Sequence, residues 1–372
     1  AWADMRPRPE SFRVKGMADV DTTIWESDYG TVSLFDEGAG TAYGFKRAWA
    51  GKEIPTLMAW VNSTKAQNYE EWLDQAAQVA TTINWYYADK DGNIYFKDAA
   101  LILDYKDAAA AARLNGGKVI VSVSKIIPRD NSQIAIPADN VNAIVVNPRN
   151  EQVGGILQTQ FMPHFTAGSS EVDHEAVKLM RLINTFLDIT PYRGKVVDIL
   201  ARLCADTFVK TTGPGAIVNI GIGIGEEVAR MLYESGLYRD ITFTSEGGAY
   251  GGLPASGVYF GAAISPQRIL STAEIFHIYE ERLDTCVLGF LQVDSAGNVN
   301  VSHRGPKIID FVGPGGFTDI VEYARTIIFV GNWMDEARYG LKNGLVRVKK
   351  PGVPKFVDKV DQITFNARKA LK

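Results

Sequence analysis

Hydrophobic and polar positions alternate with a period near two over much of residues 1–96 and change to a strand–helix alternation further on. In the first stretch the aromatic-rich pattern predicts strands at Ser11–Lys15, Thr22–Trp25 and Thr31–Phe35, the last two joined by the turn Asp28-Tyr29-Gly30. A helix is expected at about 52–62, where Leu57, Trp60 and Val61 share a face that reads more readily as core than as a binding box. Asn68 is placed to cap a second helix through Ala80, with Glu70 and Glu71 in its first turn, where the positive end of the helix dipole favours carboxylates. A strand at Thr82–Ala88 then ends in the turn Asp91-Gly92-Asn93. From Ala99 the period lengthens. Ala99–Leu114 reads as an alanine-dense helix stopped by Asn115-Gly116-Gly117, followed by strands at Lys118–Val123 and Ala143–Asn147. Polar Gln158–Asp173, with Pro163 and Gly168, is the best linker candidate.

The clearest α/β stretch begins at Gly194. Helix Gly194–Thr207 leads to strand Ala216–Ile220, and Gly221, Gly223 and Gly225 open a helix from about Glu226 to Ser235. Strand Ile241–Thr244 then runs into a glycine-rich loop. The turn Asp89-x-x-Gly92-Asn93 recurs as Asp294-x-x-Gly297-Asn298, each copy followed some thirty residues later by a β-branched strand, Lys118–Val123 or Thr326–Val330. The echo fits two copies of one supersecondary unit, and equally a common hairpin turn used twice.

Length and composition narrow the function classes. The 372 residues, 46% hydrophobic and 22% charged, suit a globular protein of two to three domains. A net charge of −4 gives no basic surplus for nucleic acid or an anionic membrane, and no apolar run approaches the roughly 18 residues of a membrane span. Cys204 and Cys286 form no C-x-x-C pair, which agrees with a reducing, cytoplasmic setting. The segment from Ala1 to Glu10 has no apolar h-region, so a targeting segment is either absent or removed. His164, His174, His277 and His303 lack metal-ligand spacing, so no metal is expected.

Three glycine-rich loops could carry chemistry. In Glu246-Gly247-Gly248-Ala249-Tyr250-Gly251-Gly252-Leu253-Pro254-Ala255, a carboxylate leaves a strand at its carboxyl end, where open α/β sheets bind ligands. Such a carboxylate can act as a nucleophile, or it can be a solvated loop residue beside turn glycines. Gly221-Ile222-Gly223-Ile224-Gly225 lies between strand and helix; its amides could cradle a phosphate, but the third glycine falls one residue early for G-x-G-x-x-G, and a tight turn serves as well. Gly315-Gly316 ahead of a helix start could offer two N–H groups to a developing oxyanion, or simply form a capping turn.

At these loops the chain resembles the family I coenzyme A transferases of the acetate and propionate type. The matching stretches are Ala201–Gly225, Glu246–Gly257, Phe260–Ile264, Phe290–Ser302, Gly315–Phe317 and Asp361–Phe365, with weaker likeness back to Lys97. The resemblance implies an open, mixed or parallel sheet with flanking helices. It further implies that Glu246 forms a covalent glutamyl-CoA thioester, with Gly315 and Gly316 beside it and with Gly221, Gly223, Gly225, Gly251, Gly252 and Phe317 contacting the coenzyme. Coenzyme A and acyl-CoA would be substrates, with a carboxylate as partner and no permanently bound cofactor; a homo-oligomer is compatible with this. In that family the active site lies between two halves, and most of the first half has no counterpart here. Where the family carries a glycine triplet before Leu-Asp, this chain has Glu280-Glu281-Arg282, three charged side chains expected to line the substrate pocket.

The N-terminal part resembles a different family. Phe12–Ile94 looks like an interior piece of a penicillin G acylase β chain, most clearly at Lys46–Glu53, Leu57–Trp60 and Ile83–Asp89, with the junction at Asp89–Phe96. The expected organisation is therefore an acylase-like α+β segment at 1–96, a remnant of a first transferase half plus linker at 97–170, and the glutamate-bearing second half at 171–372. The function expected is acyl-CoA:carboxylate coenzyme A transfer. One alternative is an inert chimeric protein that folds and binds coenzyme A. An N-terminal nucleophile amidase is the third reading, disfavoured because Ala1 offers no nucleophile.

Overall fold

The computed structural model describes residues 5–12, 18–27, 30–36, 41–45, parts of 54–76, 83–96, 98–148, 161–169, 171–186, 194–307 and 310–370. These divide into two compact units, residues 1–83 with 112–119 and residues 84–111 with 120–372. The predicted helix at 52–62 with its Leu57, Trp60 and Val61 face, and the cap Asn68, fall largely or wholly outside the described residues.

In the first unit β1 (Arg6–Phe12), β2 (Val20–Ser27), β3 (Gly30–Asp36) and β4 (Thr41–Phe45) form an antiparallel meander, with Arg6 opposite Glu26 and Thr31 opposite Phe45. The first strand starts earlier than the alternation predicts. Pro7 and Pro9 hide it in the sequence, yet both are tolerated because β1 is an edge strand and need not donate to a second neighbour. Helix α1 (Tyr69–Ala76) carries Glu70 and Glu71 in its first turn, as expected.

The second unit begins with a five-stranded sheet in the order β8-β6-β5-β7-β9, built from β5 (Ile83–Ala88), β6 (Ile94–Tyr95), β7 (Ile120–Ile126), β8 (Ile134–Ile136) and β9 (Ala143–Val146). Helix α2 (Tyr105–Leu114) starts six residues later than the alanine run suggests. Ala99–Ile102 are all buried, and burial on every side is incompatible with an amphipathic surface helix; Leu103 then takes a φ of +52°, which breaks any helix there.

A six-stranded mixed sheet positions everything that follows. Its order is β15-β12-β11-β10-β16-β19, from β10 (Ala216–Ile220), β11 (Ile241–Thr244), β12 (Ala249–Tyr250), β15 (Arg268–Ile269), β16 (Leu283–Leu288) and β19 (Ala324–Phe329). Strands β11, β10, β16 and β19 run parallel, whereas β12 is added antiparallel to β11 and β15 antiparallel to β12, so that β15 again runs with the parallel set. Period-two alternation splits the sheet into two buried faces. Val218, Ile220, Val287 and Ile328 pack with helices α3 (His174–Phe186), α4 (Gly194–Thr211) and α5 (Ile224–Glu234). Ile217, Cys286, Leu288 and Ile327 pack with α6 (Thr272–Glu281) and α7 (Phe317–Tyr323). Two short strands, β13 (Leu253–Pro254) and β14 (Ala263–Ile264), close the loop after β12. In the expected linker, residues 161–169 are packed chain: Phe165 is fully buried against Tyr259, with ring centroids 5.4 Å apart, and the His164 carbonyl accepts the Ser265 N–H at 2.7 Å. One aromatic residue among polar ones is enough to anchor the segment.

The repeated D-x-x-G-N sequence is a repeated turn. In the β5–β6 hairpin the buried Asp89 carboxylate accepts from the Asp91 and Asn93 amides, the Asn93 side chain and the Tyr95 hydroxyl. In the hairpin of β17 (Gln292–Asp294) and β18 (Asn298–Asn300), Asp294 accepts from the Ala296 and Asn298 amides and the Asn298 side chain. The likeness stops there, because β7 shares a sheet with the first hairpin whereas β19 lies in a different sheet from the second.

Burial works against ionisation of Asp89, but hydrogen bonds from Tyr95, Asn93 and Asp91 outweigh it and bring its pKa to about 2. The stabilisation this gives is present above the ordinary carboxylate pKa and is lost as pH falls towards 2. Asp89→Ala should therefore cost roughly 2–3 kcal/mol at neutral pH, since it strands the Tyr95 and Asn93 donors. The deficit relative to wild type should shrink in denaturant melts repeated from pH 5 down to pH 2; a pH-independent deficit would contradict the assignment.

Candidate active site

Glu246 sits in a four-residue turn, Ser245–Gly248, that joins β11 to β12 and is closed by the Gly248 N–H donating to the Ser245 carbonyl at 3.0 Å. Gly248 has φ +103°, and a Cβ there would lie 1.9 Å from the Leu270 carbonyl oxygen, so only glycine fits. The Ser245 hydroxyl ties the turn to the Gly261 carbonyl at 2.6 Å. Beneath it runs a buried chain of hydrogen bonds: the Asn219 amide donates to the Tyr279 hydroxyl (3.0 Å), which donates to Thr244 Oγ1 (2.9 Å), which donates to the Val218 carbonyl (2.9 Å). Burial pushes the Tyr279 phenol up to about 12, so it stays a neutral donor.

The carboxylate opens into a cleft of about 500 Å³ lined by Leu103, Gly247, Thr272, Phe276, Gly316 and Asp319. Helix α6 supplies one wall. Its start is fixed by a capping box in which Ser271 Oγ accepts the Glu274 N–H and the Glu274 carboxylate accepts the Ser271 N–H. Leu103 forms a parallel bridge with Ser271 and accepts the Thr272 N–H at 3.2 Å, which brings the 99–103 segment to the same place.

The loop before α7 supplies the other wall. A Cβ on Gly316 would fall 2.8 Å from Glu246 Oε2 and 2.5 Å from the Phe276 ring, and one on Gly315, where φ is +55°, would fall 3.9 Å from Oε2. Glu246 is exposed as a residue and faces the cleft; partial desolvation of its carboxyl group raises its pKa, and a hydrogen bond from the Gly316 amide works in the opposite direction.

Of the residues singled out in the sequence, Glu246, Gly315 and Gly316 are thus brought together. The others lie elsewhere. Gly221 donates its N–H to the Val287 carbonyl at 2.8 Å, Gly223 (φ +96°) caps α5, and a Cβ on Gly225 would touch Ile220 at 3.0 Å; none of the three lines the Glu246 cleft. Gly251 and Gly252 line a separate hollow of about 270 Å³ with Glu171, Arg239, Ser265 and Gln267. The Phe317 side chain is buried against Phe329.

The expectation for Glu280-Glu281-Arg282 is corrected. All three are exposed at the amino end of β16, where Arg282 bonds Asp284 and the Gly215 carbonyl, whereas the cleft lies at the carboxyl ends of the strands. Leu103, Thr272, Phe276 and Asp319 were not singled out in the sequence. The Ser271-x-x-Glu274 box was the available signal for the first turn of α6. Among the described residues there is no group of three or more His, Cys, Asp or Glu side chains able to hold a metal ion, and no helix long and apolar enough to cross a membrane.

Known proteins resemble this chain over much of its length. Caffeate CoA-transferase of Acetobacterium woodii is 30% identical over 310 residues, covering 81% of this chain and 54% of that protein. The crystal structure of the acyl-CoA transferase YdiF from Escherichia coli O157:H7, in a thioester complex with CoA, superposes with a TM-score of 0.62 at 26% identity, over 78% of this chain and 51% of that one. The chain resembles coenzyme A transferases. It spans about half the length of the curated transferases it matches.

The penicillin amidase family model matches residues 1–150, and penicillin G acylase of Escherichia coli is 45% identical over 93 residues, 25% of this chain and 11% of that protein. Together with the transferase match this exceeds the chain length, so the two likenesses overlap.

Because burial raises the Glu246 pKa, the ionised form is the one the folded state tolerates less well. The wild type is therefore relatively most stable below the usual carboxylate range and loses that advantage as pH rises through the raised pKa. Glu246→Gln should raise the melting temperature at pH 8 and change it little at pH 4. Equal effects at both values would show that the carboxylate is as well solvated as in the unfolded chain.

Proposed function

We propose that this chain carries the glutamate-bearing portion of an acyl-CoA:carboxylate coenzyme A transferase. The observation that supports the reading best is Glu246 at the carboxyl end of a parallel strand, in an open cleft, with the Gly316 N–H directed at its carboxylate. A partly desolvated carboxylate is a stronger nucleophile than a hydrated one, and an amide beside it is suited to the oxyanion that forms when a carbonyl is attacked.

In this mechanism a Glu246 oxygen attacks the thioester carbonyl carbon and expels coenzyme A as thiolate, leaving an acyl-glutamyl anhydride. The thiolate then attacks the glutamyl carbonyl carbon, which releases the donor carboxylate and leaves a glutamyl-CoA thioester. An acceptor carboxylate repeats the two steps in reverse order, regenerating Glu246 and a new acyl-CoA. No oxidant, reductant or metal enters the balance. The half-length match to the curated transferases also supports a second reading, a chain that binds coenzyme A without completing the cycle.

Incubation of the full chain with acetyl-CoA and labelled acetate, followed by intact-mass analysis and hydroxylamine trapping, tests this directly. The first reading expects exchange, a trapped adduct on Glu246, and a loss of roughly a thousandfold or more in Glu246→Ala. Exchange that survives in Glu246→Ala would refute the nucleophile. Binding of coenzyme A without exchange would select the second reading. Gly316→Val, whose side chain has no room beside Phe276 and Glu246, should slow transfer by about a hundredfold while leaving the melting temperature within a few degrees of wild type.

A further inference from the structure

Beyond β19 the chain passes through Val330–Trp333 and β20 (Met334–Asp335) into a hairpin of β21 (Arg338–Lys342) and β22 (Leu345–Lys350). Asn343 and Gly344, at φ +54° and +77°, make the two-residue turn. Over residues 338–350 the sequence has five cations, Arg338, Lys342, Arg347, Lys349 and Lys350, and no acid, in a chain whose net charge is −4. None of the five is paired with a carboxylate among the described residues, and all are exposed.

The register sorts the two faces. Tyr339 faces Val348 and Leu341 faces Val346 on one side, and that side carries the Tyr339 ring against Trp333 at 4.8 Å. Gly340 pairs with Arg347 and Lys342 with Leu345 on the other. Gly340 leaves room there for Lys349, whose Cε would lie 2.4 Å from a Cβ at that position. The result is a cationic stripe of Lys342, Arg347 and Lys349 with Leu345, 59% exposed, beside it. Cations next to an apolar surface suit a phosphorylated nucleotide, which presents anions and a flat base together.

Residues 330–337 lead from the carboxyl end of β19, which is on the same edge of the sheet as Glu246, to the hairpin, whose β21 packs against α4. The order β11-β10-β16-β19 puts the two strand ends three steps, or about 14 Å, apart. Coenzyme A carries its thiol and its phosphates at opposite ends and therefore spans such a separation. We propose that this hairpin is the docking arm for the phosphorylated nucleotide end of coenzyme A. The proposal rests on the transferase reading for the identity of the ligand, though not for the charge of the site. Five cations on one arm of an acidic chain are too few and too localised for nucleic acid, which requires an extended basic surface.

The test uses the full chain and the triple variant Lys342→Gln/Arg347→Gln/Lys349→Gln, with binding of adenosine 3′,5′-bisphosphate measured by calorimetry. The variant should bind on the order of tenfold more weakly and with a flatter dependence on salt, while Lys342→Arg/Lys349→Arg keeps wild-type affinity. In exchange assays KM should rise for acetyl-CoA but not for acetyl-pantetheine, which lacks the phosphates. If the wild type binds the bisphosphate through the arm yet performs no exchange, the transferase reading fails and the docking arm stands. Equal bisphosphate affinity in the triple variant would overturn the arm, as would tighter binding of a single-stranded oligonucleotide than of the bisphosphate.

Discussion

The position of Glu246 depends on how the end of β11 is held. Thr244, two residues before it, is fixed from both sides, by its own donation to the Val218 carbonyl on β10 and by the Tyr279 hydroxyl arriving from α6. Asn219 completes the chain by donating to Tyr279, so each of these polar side chains, which would be costly to bury alone, has a partner. The same helix that anchors the strand from below sends Phe276 and Thr272 into the cleft. Phe276 packs edge-on against Tyr279, with centroids 5.4 Å apart at 73°, so the cleft wall rests directly on the buried network. A carboxylate on a turn needs such support if it is to hold a fixed position, because a turn by itself does not hold a side chain to fractions of an ångström.

This arrangement also separates charge along the sheet. The acidic and basic groups at 280–282 that break the transferase-like pattern sit at the amino ends of the strands, where Arg282 pairs with Asp284 and the Gly215 carbonyl and the two glutamates flank His277. The carboxyl ends present glycines, Phe276 and a carboxylate whose pKa is raised by partial desolvation. A substitution that looks disruptive in the linear motif is therefore remote from the Glu246 cleft, because a helix of ten residues, α6, carries the chain from one edge of the sheet to the other.

How much was legible follows from which forces are local. Strands β10 and β11 and helices α4 and α5 were readable because apolar periodicity and glycine punctuation coincide there. Glu246, Gly315 and Gly316 lie together in the fold, a grouping that the family resemblance implied; the local signals, a carboxylate at a strand end and paired glycines before a helix, mark each loop but not their meeting. The segment Ala99–Leu103 misled because helix propensity is local and burial is not: four consecutive buried residues run through the core as irregular, non-helical chain. Strand β1 was misplaced for the opposite reason, its prolines being forbidden in a central strand and acceptable at an edge that only the assembled sheet reveals. Leu103 and Asp319 reach the cleft from distant parts of the sequence, and nothing local marks them.

The D-x-x-G-N turn explains why two unrelated resemblances meet without an obvious break. In both hairpins the aspartate satisfies the turn amides and the asparagine side chain, so the sequence is dictated by local hydrogen bonding and carries no information about the fold around it. The stretch Asp89–Tyr95 is self-sufficient in that sense, and the Tyr95 hydroxyl extends it by accepting the Asp130 N–H, which belongs to the following part of the same unit. A turn that brings its own partners can be shared by two architectures at no cost to either, and a boundary drawn through it by sequence likeness need not coincide with any boundary in packing. Residues 84–96 accordingly pack in the second unit while the acylase likeness runs through and beyond them.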